Sequence, residues 1–259
     1  MDRTLNGTRI VAAGRTPIGA FQGALAPLAA PDLTAALVKE LAARLGAQGS
    51  DVDHALLGNV LSAGLGQAPA RQVTVKAGLG DGVPAVTLNK MCGSGLEAVI
   101  QADRMIRAGD AGLVLAGGME SMSNAPFLLP GARAGLRLGD GKVVDSLVHD
   151  GLWDVYNQKH MGSCAELAVE RYGFTREDQD EFAITSYRRA QAAAASGASA
   201  AEIVAVEVPG RRGLVTVVGE DEGPAQVDFD RLPQLRPAFE KDGTITAASS
   251  SQISDGACA

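Results

Sequence analysis

The chain has 259 residues, 46% of them hydrophobic and 20% charged, a balance that suits a globular fold of one large or two ordinary domains and excludes a disordered one. Thirty acidic residues against 23 basic ones give a net charge of −7. That argues against a nucleic-acid or anionic-membrane binder, while a few local cations still suffice for a small anionic ligand.

In chain order, Met1 to Asn6 does not read as a signal peptide, and no apolar run approaches membrane-spanning length. Thr8–Ala13 reads as a short strand closed by Gly14. Pro31-Asp32 opens a helix with Leu33, Leu37, Val38, Leu41 and Leu45 on one face and Gly46 as its stop. Ala55–Leu61 is a second strand, Ala68–Leu79 a helix and Val83–Leu88 a third strand. Gly93–Ala108 is a helix with Leu96, Val99, Ile100 and Ile106 on one side, and Leu113–Ala116 is a strand ending at Gly117-Gly118. Strands without polar alternation, separated by amphipathic helices, predict an α/β fold with a mostly parallel sheet covered on both faces.

Residues 119–160 are rich in Gly, Pro, Met and Asp and read as a long, mostly irregular excursion, the kind of loop that is usually functional. Two helices follow, Gly162–Tyr172 and Thr175 to about Ala195, the second opening on a capping-box-like Thr175-Arg176-Glu177-Asp178. Glu202–Val208 reads as a strand, Arg211–Asp230 as a turn-rich connection and Thr244–Ala248 as a short strand. Three Cys, at 92, 164 and 258, follow no metal-ligand spacing and cannot all pair, so no metal is expected. A soluble, cytoplasmic protein in a reducing compartment is the expectation.

Chemistry concentrates in Thr87-Leu88-Asn89-Lys90-Met91-Cys92-Gly93-Ser94-Gly95-Leu96-Glu97-Ala98, where a strand runs through a glycine-flanked turn into a helix. Cys92 at that turn faces the orphan N–H groups and positive end of the helix dipole, which favour a thiolate. The flanking glycines let a thioester approach. A helix terminus contributes at most about 2 kcal/mol, so full activation calls for a neighbouring base. The plainer alternative is a small residue buried at a strand–helix junction. Gly93-Ser94-Gly95-Leu96-Glu97-Ala98 also matches the outline of a dinucleotide site, with Glu120 as the late acidic partner, and so admits a nicotinamide-dependent dehydrogenase.

Asn89-Lys90-Met91-Cys92-Gly93-Ser94-Gly95 resembles the nucleophile signature of thiolases, the acyl-CoA C-acyltransferases. Arg15 to Gly23 resembles that family's N-terminal motif, and Gly117 to Pro126 its second signature. His160-Met161-Gly162 and Lys241-Asp242-Gly243-Thr244-Ile245-Thr246-Ala247 follow in the expected order. The resemblance implies a thiolase-like layered fold: an N-terminal α/β domain over 1–118, an inserted α+β loop domain over 119–248, and the start of a return strand over 249–259. It implies that Cys92 takes an acyl group from acyl-CoA and passes it to acetyl-CoA, two acetyl-CoA giving acetoacetyl-CoA and CoA, or the reverse.

Leu152, His160, Met161, Phe239, Ala247 and Ser251 would line the path of the CoA arm by motif position, each with an ordinary packing role as its alternative. Cys164 reads as buried packing. No resident cofactor is implied, since the CoA thioester is substrate, and a homodimer or homotetramer is. The chain departs from the family at Ala247-Ala248-Ser249-Ser250-Ser251-Gln252, where Gln252 replaces a glycine, and no cationic counterpart for the CoA nucleotide appears nearer than Arg211 and Arg212. The family's second half, with its activating His and second Cys, is not found before Ala259. If the polypeptide ends there, little condensing activity and an exposed apolar sheet face are expected; the alternative to the acyltransferase is an incomplete thiolase fragment that serves as a CoA-binding or assembly module.

Overall fold

A computed structural model describes residues 7–259; the reading of Met1 to Asn6 lies outside the described residues. The strands are β1 (Gly19–Ala20), β2 (His54–Gly58), β3 (Ala85–Leu88), β4 (Val114–Ser121), β5 (Phe127–Leu128), β6 (Val144–Asp145), β7 (Trp153–Asp154), β8 (Lys159–His160), β9 (Val206–Pro209), β10 (Val215–Val218) and β11 (Ser254–Cys258). The helices are α1 (Ala30–Leu45), α2 (Pro69–Lys76), α3 (Ser94–Ala108), α4 (Ser146–Gly151), α5 (Met161–Tyr172), α6 (Arg176–Ala195) and α7 (Glu222–Ala225). None of the described helices is long and apolar enough to cross a membrane.

The main sheet runs β1-β11-β4-β2-β3, with β2 parallel to both β3 and β4 and β11 antiparallel to β4 and β1. Helices α1 and α2 cover one face and α3 the other, so the α/β expectation of a helix-covered sheet holds, the sheet itself being mixed, with two parallel and two antiparallel pairings. Successive β2 residues serve opposite layers: Leu57 joins the core with Leu33, Leu37 and Val73, while Leu56 joins Ala98 and Ala102 beneath α3. Helix α1 stops at Gly46 in the left-handed conformation, and α6 starts at a full capping box between Thr175 and Asp178.

Five local expectations are corrected. Thr8–Ala13 is not a strand; Ile10 is 80% and Val11 60% exposed, with no strand among the described residues paired to them. Strand β4 continues through Gly117-Gly118 to Ser121 rather than stopping there, because glycine suits a strand against which another backbone packs closely. The excursion 119–160 contains four two-residue strands, paired β5–β6 and β7–β8, as well as α4. Arg211–Asp230 contains β10, which makes an antiparallel hairpin with β9. Thr244–Ala248 is held by side chains and turns instead of a ladder.

A sixth correction concerns α3. Its sheet-facing residues are Ser94, Ala98 and Ala102, whereas Leu96 is 67% exposed and Val99 and Ile100 also point outward. Small residues let the helix backbone press onto the sheet: a Cβ on Gly58 would sit 2.6 Å from Ser94 Cβ and 2.7 Å from Gly95 N. Gly58→Ala is therefore expected to cost about 1–3 kcal/mol by overpacking, seen as a lowered denaturation midpoint. An unchanged midpoint would show that the first turn of α3 yields freely.

Candidate active site

Cys92 lies in a tight turn between β3 and α3, two residues before the first helical residue, and is exposed. The alternative of a buried packing cysteine is thereby removed. The turn is tied internally. Gly93 N donates to Lys90 O at 3.2 Å, Ser94 N to Met91 O at 3.0 Å, and Met91 N to Asn89 Oδ1 at 2.9 Å. Ser94 Oγ accepts from Lys90 N at 2.8 Å and donates to Met91 O at 2.6 Å. Met91 sits in the left-handed region at φ +52, a conformation that costs a side-chain-bearing residue about 1 kcal/mol or more. Ser94 thus ties together the turn that carries Cys92, a bond pattern that the reading of the sequence passed over.

Four of the six predicted substrate contacts, Leu152, His160, Met161 and Phe239, are linked by observed bonds or packing. Met161 N donates to Leu152 O at 2.8 Å, and Trp153 pairs with His160 across β7–β8. The His160 and Phe239 rings stack with centroids 4.9 Å apart. Ala238 N donates to Ile245 O at 2.8 Å, which carries the chain on towards exposed Ala247. His160 also caps α5: Nδ1 accepts from Gly162 N at 3.0 Å, which assigns the proton of a neutral ring to Nε2. Gly162 is required here, since a Cβ would strike the Phe239 ring.

Ser251, the sixth, is exposed and lines a different feature, a groove of about 770 Å³ between α6 and residues 245–252, with Phe182, Tyr187, Ile245 and Gln252 among its walls. The groove shares only Ser251 with the six, and Cys92 does not line it. No hydrogen bond among the described residues joins Cys92 to any of the six. Gln252, which stands where the family has a glycine, turns towards α6, its amide nitrogen 3.3 Å from Tyr187 Oη.

Glu166 is the main residue that the sequence did not disclose. Only 9% exposed, its carboxylate accepts from Thr244 N at 2.9 Å, Ile245 N at 2.8 Å and Thr244 Oγ1 at 3.2 Å. It fixes the stretch that leads to Ala247 and Ser251.

Several other residues take plainer roles. Arg211 and Arg212 form the exposed turn of the β9–β10 hairpin. Cys164 is half-buried rather than buried, its thiol 4.0 Å from Asp154 Oδ2. Glu120 is consumed structurally: its carboxylate accepts from Val60 N at 2.9 Å, Leu61 N at 3.1 Å and Asn59 Nδ2 at 2.8 Å. Burial pushes the Glu120 carboxyl up, and these three bonds only partly offset it. A carboxyl so engaged is not free for a ribose, so the dinucleotide reading loses its acidic partner.

Comparison with known proteins shows the family and the fold. A family model described as "Thiolase, N-terminal domain" matches residues 8–259. Acetyl-CoA acetyltransferases of Pseudomonas aeruginosa and Cupriavidus necator are each 51% identical over 251 residues, covering 96% of this chain and 64% of their own. A crystal structure of Acat5 thiolase from Ascaris suum in complex with coenzyme A superposes with a TM-score of 0.89 at 42% identity, covering 95% of this chain and 63% of that one. The chain thus spans a little under two thirds of the length of the relatives that it matches.

Proposed function

The chain belongs to the thiolase family, and on that premise we propose that it carries acyl groups between coenzyme A thioesters through Cys92. The observation that carries the reading is the exposed thiol in a glycine-flanked turn at the amino end of α3. The Cys92 thiolate attacks the thioester carbonyl, the carbonyl–sulfur bond to CoA breaks, and CoA leaves as a thiolate that takes up a proton. A second acetyl-CoA then gives its α-proton to a base. The resulting carbanion attacks the acyl-cysteine carbonyl, so that a carbon–carbon bond forms and Cys92 is released. The reverse sequence is thiolysis of acetoacetyl-CoA.

The exposed glycine-flanked approach and the amide groups at the head of α3 favour attack and stabilise the oxyanion as it forms. Leu152, His160, Met161, Phe239 and Ala247 then form the bed for the pantetheine arm, with Ser251 offering a hydroxyl to its amides. In this reading residues 1–118 and 249–259 supply the layered scaffold, and 119–248 the inserted cover. Exposed apolar residues on the cover, among them Phe127, Leu136 and Leu138, support assembly into dimers or tetramers. Three unpaired cysteines support a reducing, cytoplasmic setting.

A second reading, CoA binding without turnover, is favoured by one observation: among the described residues no base hydrogen-bonds the Cys92 thiol. Incubation with acetyl-CoA followed by intact mass and peptide mapping separates the two. One acetyl group per chain on Cys92 is expected; CoA binding with no adduct would establish the second reading instead.

A further inference from the structure

The Arg15–Gly23 motif has no part in the chemistry described so far, yet it ends in a polar latch. The Arg15 guanidinium donates from Nη1 and Nη2 to the two Asp221 oxygens at 2.7 and 2.9 Å, and from Nε to Glu202 at 2.8 Å. Asp221 Oδ1 also accepts from Ile18 N at 2.8 Å. The next carboxylate, Glu222, accepts from Ala20 N at 2.8 Å and Ala24 N at 3.1 Å. Two consecutive acids therefore fasten the start of α7 onto residues 15–24.

The contact continues outward from α7. Gly223 lies so close to the Gln252 carboxamide that a Cβ there would strike its oxygen and nitrogen. Gln252 then reaches Tyr187 Oη on α6, and Gln191 of the same helix donates from Nε2 to Pro224 O at 2.7 Å. Gln252 adjoins Ser251, and both line the groove along α6. The series runs unbroken from Arg15 to a groove wall more than two hundred residues later.

We infer that Arg15 is a positioning residue for the acyl-CoA site: by locking Asp221, next to the Glu222 that the Ala20 and Ala24 amides hold, it seats Gly223 behind Gln252 and so sets where Ser251 meets its ligand. The inference rests on the reading of Ser251 as a contact to the pantetheine arm. The planar guanidinium fork is the chemistry the position demands, because it engages both Asp221 oxygens while a third nitrogen holds Glu202. The Asp221 carboxyl fits the role. Burial pushes it up, but the Arg15 hydrogen bond, the Ile18 amide and the Arg15 charge together leave it below its ordinary value. A carboxyl lowered in this way stabilises above its ordinary titration range, and the contribution is lost as pH falls through the lowered value.

The test compares CoA affinity by calorimetry and amide exchange by mass spectrometry in wild type, Arg15→Met, Arg15→Lys and Gly223→Ala, all made in the full chain. Arg15→Met is expected to weaken CoA binding about 10-fold and to speed exchange over residues 18–24 and 221–226. Arg15→Lys should fall between, since an ammonium cannot fork. Gly223→Ala, which leaves the latch intact but displaces Gln252, should weaken binding similarly without faster exchange over 18–24. If Arg15→Met or Gly223→Ala binds CoA as wild type does, the inference is overturned while the CoA site stands. If wild type itself fails to bind CoA, the underlying reading falls, and the inference falls with it.

Discussion

Replacing Cys92 by alanine is expected to abolish the acetyl adduct and to lower acyl transfer by at least about 10³-fold, the scale on which removal of a covalent nucleophile acts. The same change should leave thermal stability within about 0.5 kcal/mol of wild type, because Cys92 is exposed and surface substitutions rarely do more. The turn does not depend on the sulfur. Its bonds run among Asn89, Lys90, Met91, Gly93 and Ser94. Activity and stability therefore part company at this residue, which a packing role could not produce. Release of free CoA and intact mass read the first quantity, and differential scanning calorimetry the second. An adduct persisting in Cys92→Ala would move the nucleophile elsewhere and remove the proposed mechanism.

What the sequence disclosed depended on whether a signal was local. Helices α1 and α6 were legible because periodicity, Gly46 and the Thr175 capping box lie within a few residues of the elements they define. The turn that carries Cys92 was legible for the same reason: a strand, a glycine-flanked turn and a helix read in one stretch. The Val-rich runs on either side of Gly210-Arg211-Arg212-Gly213 were a hairpin signal for β9 and β10, obscured because Val215 and Val217 point outward. The orientation of α3 was not legible. Leu96, Val99 and Ile100 promise a buried face, but Gly58 and Gly95 draw the helix down on its small-residue side. Nor was the Arg15–Asp221 pair, whose partners are separated by 206 positions. No periodicity or turn rule connects residues that far apart, and only the folded chain brings them together.

Glu166→Ala carries the largest expected cost to stability, about 2–4 kcal/mol, for the same long-range reason. The Glu166 carboxylate is the acceptor for Thr244 N and Ile245 N, in a segment that forms no strand to satisfy them. Removing it leaves Ile245, 7% exposed, with an amide cut off from both partner and solvent. A chain of this size should then lose about 5–10 °C in its melting midpoint. Glu166→Gln retains one oxygen for the two amides, and its new NH₂ group can donate to a reoriented Thr244 hydroxyl, so less than half of that loss is expected. The ligand site should register the same order. Ala247 and Ser251 follow directly on the segment that Glu166 holds, so CoA affinity should fall in Glu166→Ala and largely recover in Glu166→Gln. Loss of stability without loss of CoA affinity would show that residues 247–251 are held by the Thr246–Ser249–Ser250 hydroxyl turn alone, and that the buried acid serves the fold without setting the site.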